Sequence, residues 1–105
     1  DQMKQVVLNL TKNAFESMEG GGKLTIKLNK MHSKCQLKIA DTGSGIPENE
    51  IEKIFHPFYT SKEMGTGLGL VVCRRILHSF GGEIFITSKE TKGTHVDIFL
   101  PIKNA

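Results

Sequence analysis

The chain has 105 residues, 38% hydrophobic and 24% charged, which fits a single small globular domain (1–105) with one modest core and leaves no room for a second. A formal net charge of +3, carried by scattered lysines, suits a phosphate-bearing ligand but falls short of a nucleic-acid-binding stripe. Cys35 and Cys73 lie outside any C-x-x-C pair, against a disulfide scaffold or zinc site and in keeping with a reduced, cytoplasmic setting; no apolar run approaches the ~18–20 residues of a membrane helix. The start at Asp1-Gln2, without Met and without a signal peptide, is expected of a domain cut from a longer protein that could itself be membrane-anchored.

Met3, Val6, Val7, Leu10, Ala14, Phe15 and Met18 recur at the spacing of an amphipathic helix, with Asp1 placed to cap it and Gly20-Gly21-Gly22 to stop it. Leu24, Ile26 and Leu28 alternate with Lys23, Thr25 and Lys27, and Cys35, Leu37 and Ile39 alternate with Gln36 and Lys38. That pattern predicts two strands around a polar turn near Lys30 to Lys34, paired as a hairpin with one apolar face. Pro47-Glu48 opens a short helix carrying Ile51, Ile54 and Phe55, and the aperiodic residues 56–66 are expected to be mobile. Leu68, Val72, Ile76 and Phe80 predict a helix over 68–80 that ends at Gly81-Gly82. Strands at Glu83 to Ser88 and Thr94 to Leu100 follow, joined by a Lys-Glu-Thr-Lys-Gly turn and ended by Pro101. The order α-ββ-α-α-ββ predicts an α/β two-layer sandwich, with helices on one face of a largely antiparallel mixed sheet.

Two glycine clusters punctuate this order. Asp41-Thr42-Gly43-Ser44-Gly45-Ile46-Pro47 closes a strand, and Lys62-Glu63-Met64-Gly65-Thr66-Gly67-Leu68-Gly69-Leu70 opens a helix. Free amides at a helix N-terminus point at an incoming anion, and positions without side chains let phosphate oxygens approach the backbone. The helix dipole adds roughly 0.3–1 kcal/mol for a surface anion. A mobile linker would account for a lone glycine pair, but less well for three glycines with Thr66 among them at a helix start. The spacing matches neither the Walker pattern nor the dinucleotide fingerprint. ATP fits such a mouth.

Asn9 and Asn13 project from one face of the first helix, beside Lys12 and Glu16. An amide carbonyl is a hard oxygen ligand, and Mg²⁺ on ATP takes only one or two protein oxygens. The helix alone leaves open whether these amides bind a metal or bond to neighbouring backbone.

Asn9-Leu10-Thr11-Lys12-Asn13-Ala14, the Asp41 to Pro47 run, Ile54-Phe55-His56-Pro57-Phe58 and Gly65-Thr66-Gly67-Leu68-Gly69-Leu70 resemble, in order, the N, first glycine, F and second glycine boxes of sensor histidine kinases. The resemblance is to their catalytic ATP-binding domain and covers nearly the whole chain. The short lid and Tyr59-Thr60-Ser61-Lys62 resemble the nitrogen-regulation and sporulation kinase branches.

The resemblance implies a Bergerat-type fold with nucleotide between the helix layer and the sheet. It implies that Asn13 coordinates Mg²⁺, that Asn9 supports the phosphate side, and that Asp41 accepts a hydrogen bond from the adenine exocyclic amine. A carboxylate suits that role because guanine offers a carbonyl there instead. Gly43 and Gly45 would admit base and ribose, Thr94 would set its hydroxyl near adenine, and Gly65, Thr66, Gly67, Leu68 and Gly69 would form the phosphate loop. Lys62 would be a mobile cation on the phosphates. Glu16 departs from members with a basic contact at this position, which shifts weight to Lys62 or Lys12.

At Asn9, related topoisomerase, chaperone and mismatch-repair ATPases place a glutamate that activates water; an amide cannot take that proton, so fast hydrolysis is not expected. Phosphoryl transfer relies more on alignment and charge stabilisation. The implied acceptor is a histidine on a dimerisation domain of the same protein, absent from this chain, with a homodimeric parent and a response regulator downstream. His32, His56, His78 and His95 read as surface or capping residues. A serine kinase of the anti-sigma type and a non-catalytic docking module are the competing readings. Contact with nucleic acid or membrane is not expected of this domain.

Overall fold

The computed structural model describes residues 2–51, 53–54, 69–89 and 91–102. The first helix, α1 (Gln2–Ser17), buries Val6, Leu10 and Ala14 at helical spacing, and Met18 continues the stripe just past its end. Phe15 was expected on that apolar face but is 64% exposed, because it lies off the stripe that meets the sheet. The proposed Asp1 cap lies outside the described residues. Gly20 and Gly21 take positive φ and turn the chain out of the helix, as expected of the glycine stop.

Strands β1 (Leu24–Lys30) and β2 (Lys34–Asp41) form the predicted hairpin, closed by a hydrogen bond from the Met31 N–H to the Lys34 carbonyl. The sheet runs β1-β2-β4-β3, with β3 at Glu83–Lys89 and β4 at Gly93–Pro101, and all three pairings are antiparallel. Ile39, Val96, Ile98 and Ile84 supply its buried face. The hairpin's apolar face is covered along β2 but on β1 only at Leu24, which packs against the core. β1 lies at the sheet edge, and its Ile26 and Leu28 are exposed although they stand in register with Ile39 and Leu37.

A short helix, α2 (Glu48–Ile51), follows Pro47, and Ile54 just beyond it is fully buried. Phe55 and residues 56–68 lie outside the described residues. Helix α3 (Gly69–Ser79) packs beside α1 and contributes Cys73, Ile76 and Leu77 to the core. Its end is a Schellman motif: the Gly81 N–H bonds to the His78 carbonyl, the Gly82 N–H to the Leu77 carbonyl, and Gly81 has φ +77. Phe80, expected to continue the apolar series, is instead exposed at this turn. The result is the predicted two-layer sandwich, with α1 and α3 on one face of the sheet.

Candidate functional site

Side chains alternate across a strand, so β2, β4 and β3 each present an apolar series to the helices. Each series ends in a polar residue at the same end of the sheet: Ile39 is followed by Asp41, Val96 is preceded by Thr94, and Ile86 is followed by Ser88. The registers Asp41↔Thr94 and Ser88↔Thr94 set these three side by side. A polar row thus borders the core beneath the helix layer.

Asp41 is 8% exposed, the one buried charged side chain among the described residues. Its Oδ1 accepts the Gly43 N–H at 2.8 Å, an Asx turn that closes the strand and starts the glycine loop. Three neighbours hold that loop. The Ser44 N–H donates to the Ser17 carbonyl at the end of α1, the Thr91 N–H in the β3–β4 turn donates to the Ser44 carbonyl, and the Ile46 N–H donates to Ser88 Oγ. The expectation for Gly43 and Gly45 was access for a ligand. Gly43 has a packing reason as well, since a Cβ there would overlap Ser17, and Gly45 takes φ +72. Gly93 brings the β4 backbone against Asp41: at φ +102, a Cβ would overlap the Asp41 carbonyl oxygen.

Asn9 is turned toward α3, where its Nδ2 donates to Cys73 Sγ at 3.8 Å. Burial pushes the Cys73 thiol above its ordinary value, with the Asn9 hydrogen bond acting in the opposite direction. The amide expected to support the phosphate side is here a tie between the two helices. Asn13 stands one turn further along α1 and is half-buried, while Lys12 is exposed. Gly69 opens α3, consistent with the second glycine cluster leading into a helix. Lys62, Gly65, Thr66, Gly67 and Leu68 lie outside the described residues, as do His56 and Phe58. His32, His78 and His95 are all exposed, in line with surface roles.

Among the described residues no three His, Cys, Asp or Glu side chains gather into a metal cluster. The donor set therefore does not make a protein cage. It fits a Mg²⁺ ion held mainly by water and phosphate oxygens, to which Asn13 could add one hard carbonyl oxygen. No described helix is long and apolar enough to cross a membrane.

Sequence reasoning missed Ser88. Its signal was available: in the alternation Ile84, Ile86, Ser88, a hydroxyl occupies the next inward-facing position. What the pattern could not supply was the register that sets it against Thr94.

Residues 1–104 match the family model described as histidine kinase-, DNA gyrase B- and HSP90-like ATPase. The chain is 53% identical over 102 residues to sporulation kinase D of Bacillus subtilis (strain 168), covering 97% of this chain and 20% of that protein. It is 42% identical over 104 residues to sporulation kinase C of the same organism, covering 99% of this chain and 24% of the relative. The chain thus spans about a quarter or less of these relatives. Among solved structures, the nucleotide-free catalytic domain of histidine kinase ThkA superposes with a TM-score of 0.84 at 40% identity, covering 95% of this chain and 66% of that one. Full-length ShkA in complex with AMPPNP superposes with a TM-score of 0.85 at 25% identity, covering 99% of this chain and 22% of that one.

Proposed function

The chain belongs to the histidine kinase-, DNA gyrase B- and HSP90-like ATPase family, and on that basis we propose that it is the ATP-binding catalytic domain of a two-component sensor histidine kinase. It binds Mg-ATP and donates the γ-phosphoryl group to a histidine on a dimerisation domain of the same protein, which then serves a response regulator. The observation that carries this reading is the buried Asp41 carboxylate beside Thr94, at the mouth of a glycine loop tied down on three sides.

Asp41 recognises the adenine exocyclic amine as an acceptor, and a guanine carbonyl would be repelled there. Asn13 would hold Mg²⁺, which supplies neutralising charge at the phosphates when bound. The α3 N-terminus at Gly69, with Gly65, Thr66, Gly67 and Leu68 before it, offers backbone amides to phosphate oxygens, and Lys62 adds a cation. Asn9 takes no proton from water, so the chain favours transfer to a positioned acceptor over hydrolysis. Exposed His32, His78 and His95 have no place in this chemistry. A cytoplasmic location follows from the ATP requirement.

The test is calorimetric titration of the chain with ATP, ADP and GTP, with and without Mg²⁺, followed by transfer of labelled γ-phosphate to the histidine-bearing domain of the same protein. Affinity on the order of micromolar for adenine nucleotides, strengthened by Mg²⁺ for ATP, and label on histidine are expected. No binding by folded protein would instead indicate a docking module. Label on serine would indicate an anti-sigma type of kinase.

A further inference from the structure

The Ser88 hydroxyl makes three contacts. It receives the Ile46 N–H at 2.8 Å, lies 2.9 Å from the Gly93 carbonyl oxygen, and lies 2.8 Å from Thr94 Oγ1. A hydroxyl has one proton to give. The Gly93 carbonyl can only accept, so the Ser88 proton must lie on that axis; otherwise two acceptor oxygens would face each other at hydrogen-bond distance. The Thr94–Ser88 contact must then be made by the Thr94 proton. Thr94 Oγ1 is left with lone pairs alone to present to a ligand.

We infer that Ser88 is a positioning residue for base selectivity: by taking the Thr94 proton, it fixes the Thr94 hydroxyl as a hydrogen-bond acceptor beside the Asp41 carboxylate. This rests on the nucleotide-binding reading above and deepens it. Asp41 and Thr94 are register partners, so this pair offers two acceptors and no donor to the edge of a base. An exocyclic amine, with two N–H donors, meets that pair directly or through a water. A base with a carbonyl in the same place sets that oxygen against two acceptors, and only its N1–H, which adenine lacks, can donate to them. Asp41 alone would oppose the carbonyl, but a freely rotating Thr94 hydroxyl could turn its proton toward it and recover part of the loss. Ser88 removes that escape. Its bond to the Ile46 N–H holds the glycine loop by the same oxygen, so the device is part of the loop anchor.

The experiment compares ATP with inosine triphosphate, which replaces the amine by a carbonyl, by calorimetry on wild type, Ser88→Ala, Ser88→Thr and Thr94→Val. Ser88→Ala should lower the ATP-to-inosine-triphosphate affinity ratio about tenfold, the scale of one hydrogen bond gained by the carbonyl nucleotide. Ser88→Thr, which keeps the hydroxyl, should restore the wild-type ratio. In the Thr94→Val background, Ser88→Ala should leave the ratio unchanged. A role confined to holding the loop would weaken both nucleotides equally, and an unchanged ratio in Ser88→Ala overturns the inference while leaving nucleotide binding intact. Wild type binding neither nucleotide overturns the nucleotide reading and this inference with it. Should Ser88→Ala fail to fold, Ser88→Cys, similar in size but a weak donor, takes its place in the same comparison.

Discussion

The Asn9 side-chain amide donates to the sulfur of Cys73, joining the middle of α1 to α3 across the helix layer. The pair couples the helix that carries Asn13 to the helix that opens at Gly69, so the metal and phosphate sides of the proposed site share one fixed geometry. Asn9→Ala removes this contact and leaves a small void against a core thiol. The expected loss is about 0.5–1.5 kcal/mol of unfolding free energy, the usual worth of a hydrogen bond, read from the urea midpoint. A change within error would show that the amide–sulfur contact contributes nothing to holding the helices together.

Cys73 is fully buried, and burial raises the thiol above its ordinary value. A raised folded value means the folded state favours the neutral thiol. Its stabilising contribution is therefore complete below the unfolded thiol value of about 8.5 and disappears as pH rises through the higher folded value. Wild type should lose stability faster than Cys73→Ala between pH 8 and 10, as measured by urea unfolding across that range. Parallel curves would contradict the assignment. Alkylation followed by mass spectrometry should label the half-buried Cys35 before Cys73.

Asp41→Asn keeps an oxygen able to accept the Gly43 N–H, so the Asx turn and the fold should persist. It replaces the second acceptor by a donor where an amine is expected. Adenine nucleotide affinity should fall by about 1.5–3 kcal/mol, the scale of one charged hydrogen bond, by calorimetry. Unchanged affinity in a folded variant would refute the adenine contact.

Asn13→Ala should weaken Mg-ATP binding far more than metal-free ATP binding, measured by paired titrations with Mg²⁺ or EDTA. The reasoning is that a single protein oxygen matters most when the ion otherwise keeps water and phosphate ligands. Equal losses in the two titrations would remove the metal role.

Thr91 holds φ +68, a left-handed conformation unusual for a β-branched residue, while its N–H ties the β3–β4 turn to the Ser44 carbonyl. Asn tolerates that conformation and keeps the N–H. Thr91→Asn is expected to raise stability by about 0.5–1 kcal/mol by thermal unfolding. Gly93→Ala should do the reverse and cost roughly 2 kcal/mol or more, because its Cβ has no space beside the Asp41 carbonyl. Equal midpoints for the two variants would dispose of the strain argument.

Much of the fold was legible because it is local. The 3.6-residue stripe of Val6, Leu10 and Ala14 and the alternation from Cys35 to Ile39 are set by neighbouring residues, and so are the glycine ends at Gly20 and Gly81. The misplacements share a cause. Phe15, Phe80, Ile26 and Leu28 belong to apolar series in the sequence, yet they are exposed, with no described element over them. Whether a periodic face is covered depends on which strand lies at the edge and how far α1 and α3 extend over the sheet, and periodicity carries neither fact.

By itself the sequence determined the order of elements, the glycine and asparagine motifs, and through them the membership in a family of ATP-binding domains. Motifs are short and contiguous, so they survive without knowledge of the fold. Only the tertiary structure decided that Asp41, Thr94 and Ser88 stand in one row, that Gly43 is required by Ser17, and that Asn9 reaches Cys73. Each of these joins residues far apart in the chain. Strand register and helix docking set them through the packing of the whole core, which no local window of residues contains.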